Sequence, residues 1–568
     1  GGEALEASEW GAWLGRLPPS GTARTEGAWP EMGGSPARLS VSERLPWVEK
    51  AWGWKLPPAF FAKPSLQPYR GVWQVGRRLP ACFHAAAADG LFALSNGETL
   101  FLVDAKGRPG AIHGRQPLQP FRNATPQMDW MNALRPFAVT MVDGMAIANL
   151  ASRKPAVLTP GMMGRFGGIQ MPRCELLAVD MATSKLRWLF PPPSPEDTQE
   201  TSQLDVRTAP VACGDTLVAA CTRQGTSVEV WLVGLGLSDG KLRWKRFLCA
   251  SPNDQILNLA AEPALASDGR LVYCLSQRGA VLAVEAETGL ACWAYRYAEA
   301  PSPLEAPVPR QRNPRMGGRN VNSQPLPPRP FSPPIVKGGV LYALPADAGC
   351  LLALDAGSGK LRWKHETDAD QLIALVAGLE EDRLVLTAPS SKGYVVGIQG
   401  DSGEASFNVP DGGVAGRGLV TPDAILIPTP KGVVSIDLGT LKLTGSLLTW
   451  PPDFFPKLPR GGDQEPPMSS VPEGANLIAA EGWLFAVASQ GVLAYPIPET
   501  RETGLQEELQ ANPGDPALWL RLARHHRAKQ EPGKALEALR EGWRLAQGTR
   551  AGNREQILAL LTATLRQQ

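Results

Sequence analysis

Few side chains in this sequence sit at spacings that could do chemistry. The sharpest candidate is Asp355-Ala356-Gly357-Ser358-Gly359-Lys360, a Gly-rich turn ending in Lys. A phosphate-cradling loop needs a further Gly four residues before its Gly-Lys pair and a helix behind it. Neither is present, because apolar strand-like runs flank the turn on both sides. The carboxylates Asp104, Asp180, Glu285, Asp355 and Asp437 recur at matching places in similar segments. Repetition spreads them through the fold, so they are not expected to converge on one ion. The eight cysteines (Cys82, Cys174, Cys213, Cys221, Cys249, Cys274, Cys292 and Cys350) form no C-x-x-C or adjacent pair. Most lie in apolar runs and read as small buried hydrophobes. His525 and His526 are adjacent in a helical pattern, where neighbours diverge, and do not make a metal site by themselves. No G-x-S-x-G nucleophile elbow appears.

The elements around these residues explain the recurrence. Leu351 to His365 reads as a buried apolar strand, a turn from Asp355 to Gly359, and an outer strand carrying Leu361, Arg362 and Trp363. Leu177–Trp188, Val233–Trp244 and Leu282–Trp293 repeat the phrase, with Gly236 and Glu285 replacing Asp in two of them. Val396–Phe407 is a worn copy with Phe in place of Trp. Upstream of each lies an apolar hairpin with turns such as Asp143-Gly144, Asp268-Gly269 and Gly338-Gly339. One unit is therefore four short antiparallel strands. Such a unit cannot bury its own faces until copies stack on it.

The pattern apolar-apolar-Asp-Ala-x-Thr/Ser-Gly-Lys-x-x-Trp resembles the PQQ-type β-propeller repeat. That repeat occurs in quinoprotein dehydrogenases and in non-enzymatic relatives such as the lipoprotein of the outer-membrane barrel assembly machinery. The resemblance covers roughly 69–498 and implies a mainly β fold, a propeller of eight blades with seven as the alternative. It implies that Trp188, Trp244, Trp293 and Trp363 dock between adjacent blades, with Phe407 in the same place on the worn copy. The last blade lacks an outer strand, and 69–75 is expected to supply it, with Trp73 in the docking role. Quinoprotein dehydrogenases of this family hold PQQ and calcium near the axis, with an Asp base and often a vicinal Cys pair. No such Cys pair or carboxylate cluster is present here, so neither catalytic residues nor a cofactor are assigned.

The rest of the chain points to contacts with other proteins. Residues 1–68 contain six of the seventeen tryptophans amid Pro and Gly, the composition of an extended arm that packs on something. Long segments fall between blades or between the second and third strands, which places them all on one face of the disc. One of them, 307–330, carries Arg310, Arg312, Arg315, Arg319 and Arg329 and no acid. It suits an acidic protein surface, and without interleaved aromatics it does not suit nucleic acid. Residues 499–568 turn helical, and Trp519, Leu522, Ala523, His526, Ala535 and Leu539 are spaced as in one tetratricopeptide repeat. Trp519 and His526 are therefore candidate partner-binding residues.

Net charge is +2 at 20% charged residues, so no global field directs the chain to a polyanion. No apolar run approaches the roughly 18 residues of a membrane span. The start at Gly1-Gly2 fits a processed precursor or a piece of a longer protein. The expectation is a non-catalytic scaffold or accessory subunit, extracytoplasmic by analogy with its relatives, whose partners are other protein subunits. A quinoprotein-like redox enzyme is the alternative. A ligand-sensing module of a larger signalling protein is a third reading.

Overall fold

A computed structural model describes residue 32 and, with short interruptions, 52–55, 83–114, 137–156, 171–192, 201–252, 262–297, 332–366, 376–410, 416–451, 475–546 and 551–565. The chain divides into two compact units, the larger spanning most of 54–481 and the smaller most of 493–568.

The apolar hairpins form the sheets the repeat demands. Among the described residues, successive stretches 86–114, 137–190, 205–252, 264–296, 335–366, 376–410 and 419–449 each fold into an antiparallel sheet whose strands follow chain order. These seven sheets lie wholly in the larger unit and are its blades. An eighth sheet has the order Trp52–Lys55, Gly491–Pro496, Trp483–Ala488, Asn476–Ala480, and the boundary between the units runs through it. The larger unit thus contains seven complete blades, the alternative count, and not the eight first expected. A second correction concerns the strand that completes the last sheet. It is Trp52–Lys55, from the arm, and not 69–75, which lies with Trp73 outside the described residues.

Burial follows strand position. The second strands Leu271–Leu275 and Val340–Ala343 are buried throughout, whereas the outer strands Ala291–Arg296 and Leu361–Glu366 alternate between exposed and half-buried. The cores lie between blades. One cluster joins Leu271, Tyr273 and Val281 of the fourth sheet to Leu341, Leu352 and Leu354 of the fifth. Another joins Ile147, Leu176 and Ala178 of the second to Leu217, Ala219 and Val233 of the third.

What aligns neighbouring blades is the indole. Pairing slips by one residue just before each outer-strand Trp, a bulge that re-aims the side chain. The residue opposite each ring is small: Ala178 for Trp188, Gly234 for Trp244, Ala283 for Trp293 and Ala353 for Trp363. The ring then reaches the next blade, where its N–H donates to a turn carbonyl. Trp188 bonds Leu237 at 3.0 Å, Trp244 bonds Ala286 at 3.0 Å, Trp293 bonds Ala356 at 2.9 Å and Trp363 bonds Gly400 at 3.1 Å. Its face lies on the turn glycine of that same blade. At Gly240, a Cβ would fall 2.5 Å from Trp188 Cδ2, and φ is +66° besides. Gly289, Gly359 and Gly403 stand in the same relation to Trp244, Trp293 and Trp363. Phe407 sits on the outer strand Ala405–Pro410, opposite Gly397.

The repeat acid closes the turn. Asp355 Oδ1 accepts from Ser358 N (3.0 Å) and Ser358 Oγ (2.8 Å), while Oδ2 accepts from Arg362 Nη2 (2.7 Å). Asp180 makes the same set with Thr183 and Arg187. The Arg362 guanidinium, together with the Ser358 bonds, holds the Asp355 carboxyl down at about 2. The third blade carries Gly236 at this position, and Arg243 turns instead to Asp215 Oδ2 (3.1 Å) and Thr216 Oγ1 (3.0 Å).

Two predictions follow the geometry of these contacts. Trp188→Ala should cost about 3–5 kcal/mol, as for other buried large-to-small changes, and Trp188→Phe about half of that. Gly240→Ala should be strongly destabilising alone but should retain only the roughly 1–2 kcal/mol cost of its positive φ in the Trp188→Ala background, because the clash with the ring is then gone. Thermal melts of the four chains check this, and additive losses would refute the shared contact. For Asp355, a depressed folded-state pKa stabilises the fold fully above the ordinary value of 3.8 and loses that effect as pH falls through about 2. Asp355→Asn should therefore lower the urea midpoint at pH 7, by on the order of 1 kcal/mol or less for so exposed a pair, with the gap to the parent shrinking below pH 4.

Candidate functional site

The larger unit was tested first for a place where reactive groups converge. Its repeat acids do not converge. Asp180, Asp355 and Asp437 each serve their own turn, Asp437 through Thr440 N and Oγ1 at 2.7 Å. Among the described residues, no three His, Cys, Asp or Glu donors gather within this unit as a metal would require.

One open cavity of about 370 Å3 lies at the junction of the second and third blades. Asp143, Met145, Arg187, Gly214, Asp215, Leu237 and Ser238 line it. Of its charged groups, Arg187 is paired with Asp180 and Asp215 with Arg243.

The strongest polar staple in the unit escaped the sequence reading. Asp347, in the fifth blade, accepts from Tyr297 Oη (2.7 Å) and from Gly279 N (2.8 Å), both in the fourth. Burial pushes its carboxyl up, against those two donors. Trp450 is a further buried indole, donating to Thr429 O at 2.8 Å. Tyr342, its phenol pushed up to about 12 by burial, donates to Gly400 O at 2.9 Å beside the Trp363 bond. No repeat spacing marks these residues, so no signal in one sequence could have found them.

Among the described thiols, Cys174, Cys213, Cys221, Cys274 and Cys350 are buried, Cys249 is partly so and Cys292 is exposed. Burial raises the Cys221 and Cys274 thiols well above their ordinary range, which keeps them protonated and unreactive.

The smaller unit brings other groups together. It contains helices α1 (Pro498–Ala511), α2 (Pro516–Ala528), α3 (Pro532–Ala546) and α4 (Ala551–Leu565). Asp515 caps α2 by accepting from Ala517 N at 2.8 Å. Leu505, Leu509, Leu522, Ala523, Leu539 and Ile557 form the shared core. Gly542 lets α3 approach α2, since a Cβ there would lie 3.0 Å from that of Trp519.

Trp519 is half-buried and spends its N–H on Pro513 O at 3.1 Å. His526 is 6% exposed, with Nδ1 at 2.9 Å from Glu531 Oε2. Its ring lies in the helical interior. Its neighbour His525 is fully buried, with Nε2 3.2 Å from Glu502 Oε2. Burial lowers the His525 imidazole despite that carboxylate. Lys529 Nζ lies 2.8 Å from the same oxygen and, with the His525 bond, draws Glu502 down to about 2. Arg310, Arg312, Arg315, Arg319 and Arg329 lie outside the described residues.

Comparison with known proteins agrees with the repeat. Two overlapping stretches, 175–312 and 259–417, match the family described as outer membrane protein assembly factor BamB. No curated protein matches the chain. Among solved structures it is similar to BamB from Moraxella catarrhalis, at 14% identity and a TM-score of 0.44, covering 74% of this chain and 98% of that one. It is also similar to the quinohemoprotein alcohol dehydrogenase of Comamonas testosteroni, at 12% identity and a TM-score of 0.49, covering 86% and 83%. A third, quinohemoprotein alcohol dehydrogenase ADHIIG of Pseudomonas putida HK5, has 14% identity and a TM-score of 0.47, covering 83% and 80%. The four indole contacts all fall within the stretch 175–417 that the family model matches.

Proposed function

We propose that this protein is a non-catalytic interaction scaffold, an accessory subunit that binds other proteins. The observation that carries the reading is the fate of the repeat acids. Among the described residues, Asp180, Asp355 and Asp437 are each consumed by their own turn, and Asp180 and Asp355 also by an outer-strand Arg. Acids spent on holding blades together are not free to hold an ion or move a proton. The match to a family described as an assembly factor supports the same reading.

The surfaces proposed for partners are the long connections on one face, including the Arg-rich stretch 307–330, the Trp-rich arm, and the helical unit in the manner of a tetratricopeptide repeat. Protein partners follow from the chemistry of the stretch, five guanidinium groups without an acid, which favours carboxylate-rich protein surfaces. An extracytoplasmic site is proposed from the family alone. No helix among the described residues is long and apolar enough to cross a membrane.

The test has two arms. The chain purified from its source should show no stoichiometric quinone absorbance, no bound calcium by elemental analysis, and no alcohol-dependent dye reduction after addition of PQQ and calcium. Affinity capture with the intact chain should retain a defined protein subunit. Replacing Arg310, Arg312, Arg315, Arg319 and Arg329 by Ser should release that subunit at least about tenfold more readily, with the melting temperature unchanged. A tightly held quinone with calcium, or turnover on reconstitution, would replace the scaffold by a redox enzyme.

A further inference from the structure

His525 and His526 look unpromising in sequence because consecutive helical residues point about 100° apart. The fold supplies what the helix alone lacks. Glu502, from α1, lies 3.2 Å from His525 Nε2, and one donor atom from each of Glu502, His525 and His526 lies within 4.8 Å of the others. The imidazoles stand 5.4 Å apart, centroid to centroid, at 68°. Both rings are buried, and Glu502 is largely so.

A second feature marks this as a place for a cation. Lys529 Nζ sits 2.8 Å from Glu502 Oε2 and 3.9 Å from Glu531 Oε1, so a positive charge already lies between two carboxylates. That ammonium is on a flexible four-carbon stem and is about one-quarter exposed, so it can leave toward solvent. With it gone, two imidazoles and two carboxylates face one small volume.

We propose that Glu502, His525 and His526 form a transition-metal site of the Zn2+ class, with Lys529 as the resident cation that the metal displaces. Two nitrogen donors favour Zn2+, Co2+ or Ni2+ over Ca2+ and Mg2+, which take oxygen. Glu531, 2.9 Å from His526 Nδ1, supplies the second negative charge and fixes that ring. A metal there would pin α1 to α2, and the proposal stands apart from the scaffold reading.

The experiment uses the full chain with Co2+ as the optical probe and Zn2+ in calorimetry. One Co2+ per chain should bind with visible ligand-field bands and no sulfur-to-metal charge-transfer band, because the ligands are nitrogen and oxygen. His526→Gln should weaken Zn2+ binding at least about tenfold, and Lys529→Met should tighten it by a similar factor. Each variant is first checked for unchanged circular dichroism. The Lys529 arm keeps the test decisive if the histidine variant fails to fold, since a structural role for Lys529 gives no gain in affinity. A thiolate charge-transfer band, or affinities that neither variant moves, would overturn the proposal.

Discussion

One contact is repeated through the larger unit, and the rest of its architecture depends on it: an indole laid on the turn glycine of the next blade. The contact sets three conditions at once. The glycine must have no Cβ, since one at Gly240, Gly289, Gly359 or Gly403 would fall inside the ring. The carbonyl three residues before that glycine must accept the indole N–H, as Leu237, Ala286, Ala356 and Gly400 do. The residue opposite the ring must be small so that the bulged strand can turn the side chain outward. A large apolar ring with one donor meets all three demands, because it buries area and leaves no polar group stranded.

This contact also accounts for where the charges go. Holding the turn in place requires its Asp to bond Ser or Thr two or three residues on, and the outer-strand Arg completes the set at Asp180 and Asp355. The third blade, lacking that Asp, reroutes Arg243 to the neighbouring turn at Asp215 and Thr216. The described turn acids and their arginines are therefore engaged within the blades. The helical unit has the opposite character. Its interior holds a mixed set of imidazoles, carboxylates and an ammonium, closely packed and mutually dependent.

Much of the fold was legible because a repeat states its structure several times over. Four copies ending in Trp separate the meaning of each position from local noise. The Asp-Gly and Gly-Gly turns fell where the hairpins turn, and the docking role of Trp188, Trp244, Trp293 and Trp363 corresponds to their observed bonds. Legibility failed where repetition ended. The strand completing the last sheet was assigned to 69–75 on the strength of Trp73, yet Trp52–Lys55 fills that edge. Both segments carry Trp in an apolar run, and edge pairing is chosen by reach and backbone fit, which a single chain does not display. His526 was read as a candidate partner-binding residue from its spacing in a helical motif, and its burial beside Glu531 is not something that spacing displays.

By itself, then, the sequence determined the blade, its four strands, its turn chemistry and the ring that docks on the next copy. Those follow from alternation, turn residues and periodic tryptophan, which act over a dozen neighbouring positions. Tertiary structure alone decided that Asp347 would join Tyr297 and Gly279 across two blades, and that Glu502 would meet His525. These partners stand tens of residues apart and share no spacing rule. Their encounter depends on how whole elements pack, and only then do burial and charge give the side chains their chemistry.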